Sequence, residues 1–576
     1  MNFKVGYILL LACCSALSSA GQNIAEIASS DPLIISGAIG TQNTFNYSST
    51  GGQGTSRFNN SIYVNLNFNV YGINMPFSFT YNNSGVNFTY PQFTFSISPT
   101  YKGFTLYLGQ HSMQFSQYVY NIQATGIGLE YQGKNIRAGA FWGRLRKAVN
   151  DDPTDPLARN PEYARYGWGV KVGYGTGSRY IDLFVFHASD RLSSLDPAWY
   201  TKVSPMDNLV IGLRGRYSYK RFAITANAAM SLFTEDTQAE PLPEDVIGGW
   251  DKIFDARRTS YYRFAGDVNA SYGFKNFVLM GQFKLVQPNY KSLGTNYISN
   301  NIMSAGGGFS GSIFRNKVSI AGNFAWQKDN LTKQQLYTTS GYVYSANASM
   351  RALKGLQLSA AYNGYKQVQS DGTAVVNDTV KVDRTMHSAT ASANYGMRTG
   401  TLNHSIGASY SFSKNVDNNP FNKHETDVTT HAVGVNYTMG ITPINLNLNF
   451  GYNFQNSKSL TRTFSTNMIS FGTSRAFLSD GSLRFSLTAN YCLNKNDGNS
   501  NNSFGVSLSG TYAIKQAHQF SLSAAYNNNK QVNLVDDIKE RIGSYGISVS
   551  LNYSYSFVLL HIKKKVKDAQ ETAQTK

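Results

Sequence analysis

Apolar and polar side chains alternate along most of this chain, and no other feature restricts its fold so strongly. Residues Ile62 to Tyr71 read IYVNLNFNVY, and the same alternation runs from Ile444 to Gln455 and from Ile547 to Phe557. A period of two is typical of a β-strand with one apolar face and one polar face. The pattern returns about every 20 residues along most of the chain, with no helical segment to cover the apolar faces. We therefore expect lipid to cover them.

Composition supports a membrane barrel and excludes helical membrane spans. Charged residues make up 15% of the chain, against about 25% in a typical soluble protein, while Tyr (38), Phe (35) and Gly (51) are abundant. The mean hydropathy is −0.30, and the chain has no apolar run long enough for a membrane helix. A transmembrane barrel has this composition because lumen-facing polar residues offset lipid-facing apolar residues in any window of sequence.

Counting the alternating segments predicts about 26 strands, within a range of about 24–28. The joins between them alternate in length. Tight joins include Gly72, Lys102–Gly103, Gly175–Gly177 and Thr399–Gly400. The joins between the tight ones are mostly long, at residues 46–61, 82–92, 111–123, 145–165, 188–207, 234–258, 288–299, 328–337, 367–383, 414–427 and 528–542. Short turns at one end and long loops at the other are the sidedness of an outer-membrane barrel.

The sequence thus predicts an all-β fold, a single large antiparallel transmembrane β-barrel in the outer membrane of a Gram-negative cell. With the N-terminus in the periplasm, the short turns are periplasmic and the long loops are extracellular. A soluble sandwich or propeller gives no reason for so regular an alternation of short and long joins.

The first 20 residues have the features of a secretory signal peptide, with Lys4, an apolar stretch from Val5 to Leu17, and a small-residue site ending at Ala20. An alternative is the lipobox-like segment Leu10–Cys13, which would make the chain a lipoprotein. We expect a short periplasmic segment at 21–31, the barrel at 32–557 and a basic, polar periplasmic tail at 558–576. After cleavage Cys492 is the one remaining cysteine, which excludes an intrachain disulfide.

If the apolar face of each strand contacts lipid, the opposite positions line the lumen. This predicts an inward acid at Asp267 and a set of inward basic residues: Lys171, Arg214, Arg216, Arg263, Lys284 and Arg484. A cationic interior favours anionic solutes. The alternative is that these side chains are only hydrated, or paired with acids of the loops.

Tryptophan lies near predicted strand ends, at Trp142, Trp168 and Trp326. We interpret these residues as part of the interfacial aromatic girdle of a barrel. The alternative is a platform that binds sugar.

The sequence has no pattern that indicates catalysis or a metal site. The acidic clusters at 151–155 and 235–245 lack an EF-hand spacing and contain proline, so we interpret them as solvated loop charge rather than a calcium site. The histidines are scattered, and neither G-x-S-x-G nor H-E-x-x-H occurs. We predict no cofactor, no metal and no enzymatic activity. The net charge of +18 is dispersed, so we expect contact with outer-membrane lipid and lipopolysaccharide and no binding of nucleic acid.

Five short segments are similar to segments that recur in uncharacterised outer-membrane β-barrel proteins of Bacteroidetes: SPTYK at 98–102, LGQHSMQFS at 108–116, GRLRKAV at 143–149, QPNYKSLG at 287–294 and WQKDNL at 326–331. The resemblance covers residues 32–360 and implies a barrel fold and an outer-membrane location, but no activity. Thr379, within Asp378–Val380, fits the short acceptor of O-glycans in these bacteria.

We therefore expect a pore or transport channel for a solute or polymer. So many strands enclose a wide lumen, so we expect the loops at 145–165 and 234–258, or a partner protein, to occupy it. The alternative is a non-conducting scaffold that presents its loops to surface lipoproteins or to secretion and assembly machinery.

Overall fold

The structure is a computed structural model. It describes residues 22–23, 31–71, 73–82, 96–101, 103–150, 160–243, 254–421, 423–478, 480–497, 499–515, 517–535 and 538–563. The predicted signal peptide, most of the predicted tail and the acids at 151, 152, 155, 244 and 245 lie outside these ranges.

Strands account for nearly all of the regular structure, and 28 of them form one sheet. In the first part these are β1 Gln22–Asn23, β2 Leu33–Thr50, β3 Gln53–Val70, β4 Ile73–Asn82, β5 Ser96–Ile97, β6 Pro99–Tyr101, β7 Phe104–His111, β8 Ala124–Gln132, β9 Ile136–Arg146, β10 Arg165–Thr176, β11 Arg179–Asp190, β12 Asp207–Tyr219, β13 Phe222–Thr234, β14 Ser260–Gly273, β15 Phe277–Val286 and β16 Ile302–Ile313.

The second part of the sheet contains β17 Val318–Asp329, β18 Tyr337–Leu353, β19 Leu356–Asp371, β20 Asp383–Thr399, β21 Leu402–Asp417, β22 Val428–Ile441, β23 Leu446–Lys458, β24 Thr463–Phe477, β25 Leu483–Asn496, β26 Asn499–Ile514, β27 His518–Val535 and β28 Ile538–Ile562. Three single-turn 3-10 helices and the four-residue helix α1, Lys423–Thr426, are also present. None of the helices in the described ranges is long and apolar enough to cross a membrane.

From β7 to β28 each strand pairs antiparallel with the next along the chain, and the sheet curls until β28 pairs with β2. β2 pairs with β28 from Leu33↔Ile562 to Thr50↔Ser544. The ladder is thus continuous from β7 through β28 to β2, β3 and β4. Within the described residues its one interruption lies between β4 and β5, on either side of residues 83–95. The predicted all-β antiparallel barrel is confirmed.

The strand count also agrees with the prediction. β5 and β6 both pair with β7 and together form one segment, and the two-residue β1 pairs parallel with β6. Setting β1 aside and joining β5 with β6 reduces the 28 strands to 26 segments.

Two predicted long loops are wrong. Residues 46–61 and 528–542 belong to extended hairpins, because β2 runs to Thr50 and turns at Gly51 and Gly52 into β3, while β27 runs to Val535 and β28 begins at Ile538. Both faces of a strand meet water outside the membrane, so the alternation disappears there although backbone pairing continues. At the other end, β28 continues past Phe557 to Ile562.

The outward face of the barrel is apolar and exposed. In β10 the exposed side chains are Trp168, Val170, Val172 and Tyr174, while Lys171 between them is buried. On β28 the outward column contains the exposed residues Tyr545, Ile547 and Leu551. Exposed apolar faces around a curled antiparallel sheet are those of a multi-pass outer-membrane β-barrel, whose outer face contacts lipid.

Candidate functional site

The two parts of the barrel wall differ on their inward face. We call β7–β16 the filled side and β17–β28 with β2 and β3 the polar side. Among the described residues, the buried apolar side chains all lie between Met113 and Leu293, except Val376. On the polar side the inward positions carry amides and hydroxyls, such as Asn436, Asn453 and Asn490. The candidate site therefore lies against the filled side.

The first inner segment, residues 112–123, connects β7 and β8 and packs against the inward face of the wall. Its apolar residues form a core with inward side chains of β9 and β11–β14, and the members from the segment are Met113, Phe115, Tyr118, Val119 and Tyr120. Phe115 contacts the rings of Tyr120, Phe141 and Phe184 with centroids 5.4–5.7 Å apart. The strand residues of this core include Phe141, Phe184, Phe186, Val210 and Ala229.

The second inner segment, residues 287–301, connects β15 and β16 and lies against the first. The Tyr290 hydroxyl donates to the Tyr118 carbonyl (2.9 Å). The Ser292 hydroxyl donates to the Val119 carbonyl (2.6 Å). Burial raises the pKa of Tyr290 above its ordinary value, so the hydroxyl keeps the proton that it donates. The two segments therefore form one hydrogen-bonded unit inside the barrel.

Wall residues hold the second inner segment in place. The buried Asn208 of β12 accepts from the Leu293 amide (3.0 Å) and donates to Ser231 Oγ (2.7 Å). Ser231 Oγ in turn donates to the Lys291 carbonyl (2.7 Å). Arg263 Nε donates to the Pro288 carbonyl (3.0 Å). These bonds satisfy backbone groups that water would otherwise have to reach.

Glycine on the wall makes room for the inner segments. A Cβ on Gly212 would lie 2.5 Å from Val119 Cγ2, and one on Gly139 would lie 2.6 Å from Met113 Cε. Gly294, in the second inner segment, is equally restricted, because its Cβ would lie 2.7 Å from Phe186 and from the Val119 carbonyl. The inner segments therefore fit inside the barrel because glycine has no side chain at these positions.

The two loops that were predicted to occupy the lumen are described only at their flanks. Leu242, Phe254 and Ala256 of the 234–258 loop pack on Leu209 and Leu232, which face outward, and residues 244–253 lie outside the described ranges. The described flanks of the 145–165 loop form a bridge between Val149 and Glu162, and residues 151–159 lie outside the described ranges. The two inner segments do pack inside the barrel, against the filled side.

A charged cavity lies beside the first inner segment on the inward face. Its volume is about 580 Å³. Arg137 Nη2 contacts Asp182 Oδ1 at 2.7 Å, and Lys171 forms an ion pair with Glu130. Glu130 also accepts from the Tyr107 hydroxyl (2.9 Å). The remaining lining residues include Ser112, Gln114, Gln132 and Arg214.

Arg214 gives the cavity its excess positive charge. Its guanidinium lies 5.8 Å from the Tyr180 ring, and it forms no ion pair within the described part of the chain. The cavity therefore contains three cations and two carboxylates. Charges that are shielded from water by protein interact more strongly than exposed ones, so this excess favours an anion.

The six predicted basic residues do not form one cluster. Lys171 and Arg214 line the charged cavity. Arg263 holds the second inner segment, and Lys284 lies directly opposite Asp267 in the β14–β15 ladder. Arg216 is exposed on β12, and Arg484 lies on the polar side, where Nε donates to the Gly481 carbonyl (3.2 Å). Asp267 accepts from Gln117 of the first inner segment (2.9 Å).

Other predicted residues lie outside this site. Trp142 and Trp168 are cross-strand partners on the outward face and Trp326 faces outward on β17; their role as a girdle stays a prediction. Thr379 is exposed in the loop after β19, where its hydroxyl donates to Asn377 Oδ1 (2.8 Å). Among the described residues no group of three or more His, Cys, Asp or Glu side chains is arranged to hold a metal ion.

One feature of the sequence indicates the inner segments, although the alternation alone does not. Residues 183–186 read LFVF, and residues 209–211 read LVI, so these strands are apolar on both faces. A continuous apolar run indicates a strand that is covered on both sides. Two of the segments on which the family resemblance rests, at 108–116 and 287–294, overlap the inner segments at residues 112–116 and 287–294.

Comparison with known proteins finds matches among solved structures. No protein-family model matches the chain, and no curated protein does. Among solved structures, the chain is similar to OccAB2 of Acinetobacter baumannii (10% identity, 62% of this chain and 92% of that chain, TM-score 0.29). It is also similar to OccK8 (OprE) of Pseudomonas aeruginosa (10% identity, 69% and 98%, TM-score 0.29). OccK2 (OpdF) of P. aeruginosa in complex with glucuronate covers more of it (10% identity, 91% and 98%, TM-score 0.23).

Proposed function

We propose that the protein is an outer-membrane channel for small anionic solutes. The observation that carries this proposal is the charged cavity beside the first inner segment, where Arg137, Lys171 and Arg214 outnumber Glu130 and Asp182. A lumen with an excess of fixed positive charge attracts anions and repels cations. The inner segments keep such a wide barrel from being an unrestricted hole.

Arg214 is the residue that a solute carboxylate would meet. Arg137 and Lys171 are already paired with carboxylates, so a solute must displace those partners to bind them. Arg214 has no ion pair within the described ranges, and its guanidinium offers two parallel N–H groups to a carboxylate. The inward amides of the polar side provide hydrogen bonds along the route without fixing charge.

Planar-bilayer recording with a salt gradient tests this proposal. We expect wild-type protein to conduct and to show a reversal potential that indicates anion preference. Arg214→Gln should move the reversal potential towards cations while leaving the ion pairs of the cavity intact. Arg484→Gln removes an inward arginine from the polar side and serves as the matched control. A wild type that does not conduct, or an equal shift in both variants, would contradict the proposal.

The scaffold alternative is favoured by one observation, the height of the hairpins near the closing strands. β2, β3 and β27 each have 18 residues and β28 has 25, whereas about 9–11 residues cross a membrane. The surplus forms a wall above the membrane that a surface protein could bind. Stoichiometric co-purification of a partner with a barrel that does not conduct would favour the scaffold.

A further inference from the structure

Six lysines occupy matching places on alternate strands of the polar side. The strands concerned run from the turn side to the loop side of the barrel, and each carries one lysine near its loop-side end: Lys328 on β17, Lys366 on β19, Lys414 on β21, Lys458 on β23, Lys495 on β25 and Lys530 on β27. Each lysine follows an aromatic residue by four positions: Phe324, Tyr362, Tyr410, Phe454, Tyr491 and Tyr526.

The lysines face the same way as the lipid-facing aromatics. Side chains four residues apart on a strand point to the same face, and Tyr362, Tyr410 and Tyr491 are exposed on the outer wall. Five of the six lysines are exposed, and Lys328 is half-buried. The outward face of these strands is therefore apolar up to an aromatic residue and then basic.

The ladder register places the lysines at one level. Lys414 and Lys458 both lie opposite Thr429 of β22. Between other neighbouring strands of the row, the next lysine lies two residues closer to the turn side. Lys366 lies opposite Thr385 and Thr385 opposite Val416, whereas the lysine of β21 is Lys414. A stagger of this kind is what tilted barrel strands require of residues at equal height.

The level corresponds to the edge of the apolar band. Each lysine comes ten or twelve residues after the first residue of its strand, as from Leu356 to Lys366 and from Leu402 to Lys414. At about 3.3 Å per residue and a tilt of about 35–45°, this spans roughly 25–30 Å, the height of the lipid-facing band of an outer-membrane barrel. The lysines thus lie at its loop-side boundary.

No carboxylate neutralises this row. None of the six lysines forms an ion pair within the described residues. The outward acid Asp383 lies one outward position beyond Thr385 towards the loops and accepts from Asn418. Lys539 and Arg541 of β28 extend the positive surface beside Lys530. On the filled side, the outward positions near the loop ends are occupied by residues such as His187, Leu232 and Leu285.

We propose that this lysine row binds the phosphate groups of lipopolysaccharide in the outer leaflet. The row lies where the headgroups of that leaflet meet the wall, and its positive charge complements their phosphates. Neighbouring lysines are two strands apart, about 10 Å, so one headgroup with several anionic groups spans more than one of them. Threonine and serine on the strands between, such as Thr429 and Ser500, add hydroxyl donors. The lipid would bind the polar side of the barrel and leave the filled side free.

The test measures binding of purified lipopolysaccharide to the full-length protein in detergent. One variant carries three substitutions in the row: Lys414→Gln, Lys458→Gln and Lys495→Gln. The matched control carries three substitutions of exposed lysines in the turns at the opposite rim: Lys317→Gln, Lys354→Gln and Lys515→Gln. A folded barrel resists unfolding by detergent until the sample is heated, and this resistance is used to verify that every variant is folded.

We expect the row variant to bind lipopolysaccharide roughly 100-fold more weakly, since a lysine near an anionic surface contributes about 1 kcal/mol. The control variant should bind lipopolysaccharide as tightly as wild type does. Dephosphorylated lipopolysaccharide should bind wild-type protein and the row variant with the same, weak affinity. Equal affinity of row variant and wild type, equal loss in the control, or undiminished binding of the dephosphorylated lipid would overturn the proposal.

Discussion

The filled side and the polar side are walls of one sheet that are stabilised differently. On the filled side, strands of 8–14 residues carry a buried core between the wall and the inner segments. On the polar side, strands of 12–25 residues depend on backbone pairing, and their inward face is polar. A barrel can therefore be a packed protein on one side and a bare hydrogen-bonded wall on the other.

The difference also separates the two kinds of function. The filled side positions side chains with a core, which is what a selective site requires. The polar side has no core to position a site, but it presents a long, regular outer surface, which suits the binding of many equivalent lipids. The following experiments test this division.

The largest effect should come from the core of the filled side. Phe186→Ala removes a fully buried ring that contacts Tyr120 at 5.5 Å between centroids. We expect the free energy of unfolding to fall by about 3–5 kcal/mol, because a cavity remains behind. Asn453→Ala, at an exposed inward position of the polar side, should change it by less than about 0.5 kcal/mol. Urea titration in lipid vesicles measures both, and similar losses would break the comparison.

A smaller effect should follow from filling the space at Gly294. Gly294→Ala places a methyl group against Phe186 and the Val119 carbonyl, so the two inner segments must separate, at a cost of about 1–3 kcal/mol. We expect higher single-channel conductance and faster proteolysis within 112–123. Gly281→Ala, where a Cβ meets no atom within 4 Å, is the control. Unchanged conductance in Gly294→Ala would show that the inner segments do not restrict the lumen.

Asn208→Ala should release the second inner segment from the wall. It leaves the Leu293 amide without its acceptor and Ser231 Oγ without the donor from Asn208, which costs about 1–3 kcal/mol. Hydrogen exchange of residues 287–301 should accelerate, while exchange in β19–β25 stays unchanged. Asn436→Ala, at an exposed inward position, provides the comparison. Acceleration on both sides would mean that the walls are coupled.

The smallest effect concerns pH. The Lys291 ammonium donates to Glu235 at 2.8 Å, and this bond holds the pKa of that carboxyl below 4.5. A lowered folded-state pKa stabilises the fold above pH 4.5, and that contribution disappears as the pH falls through the lowered value. Both side chains are about half exposed, so less than about 1 kcal/mol is involved. Exchange protection of 287–301 should decrease at acid pH in wild type but not in Glu235→Gln.

The architecture was predictable because lipid and water enforce a period of two along every crossing. The predicted joins at 111–123 and 328–337 agree closely with the structure, in which β7 ends at His111 and β8 begins at Ala124, and β17 ends at Asp329 and β18 begins at Tyr337. The hairpins at 46–61 and 528–542 were mispredicted because neither face of those strands touches lipid. The alternation therefore indicates where a strand contacts lipid, and it does not indicate the parts of a strand that lie beyond the membrane.

The site was only partly predictable. Lys171 and Arg214 could be placed in the lumen by parity. However, Glu130, which pairs with Lys171, and the ion pair of Arg137 with Asp182 lie on other strands, and register is not written in a single sequence. The inner segments were missed because a loop that fills a lumen has no periodicity. Apolar runs such as 183–186 and wall glycines such as Gly212 are their only trace in the sequence.

The pairing of β2 with β28 has a consequence for how the chain is assembled. Thr44 Oγ1 and Ser550 Oγ form a hydrogen bond across that seam, although they are 506 residues apart in the sequence. Contacts of such high sequence separation form slowly, because the loop between them must be closed first. Until then β2 presents a long unpaired edge that can recruit other strands. The protein is therefore most prone to mispairing with other strands during its biogenesis, before β28 has paired with β2.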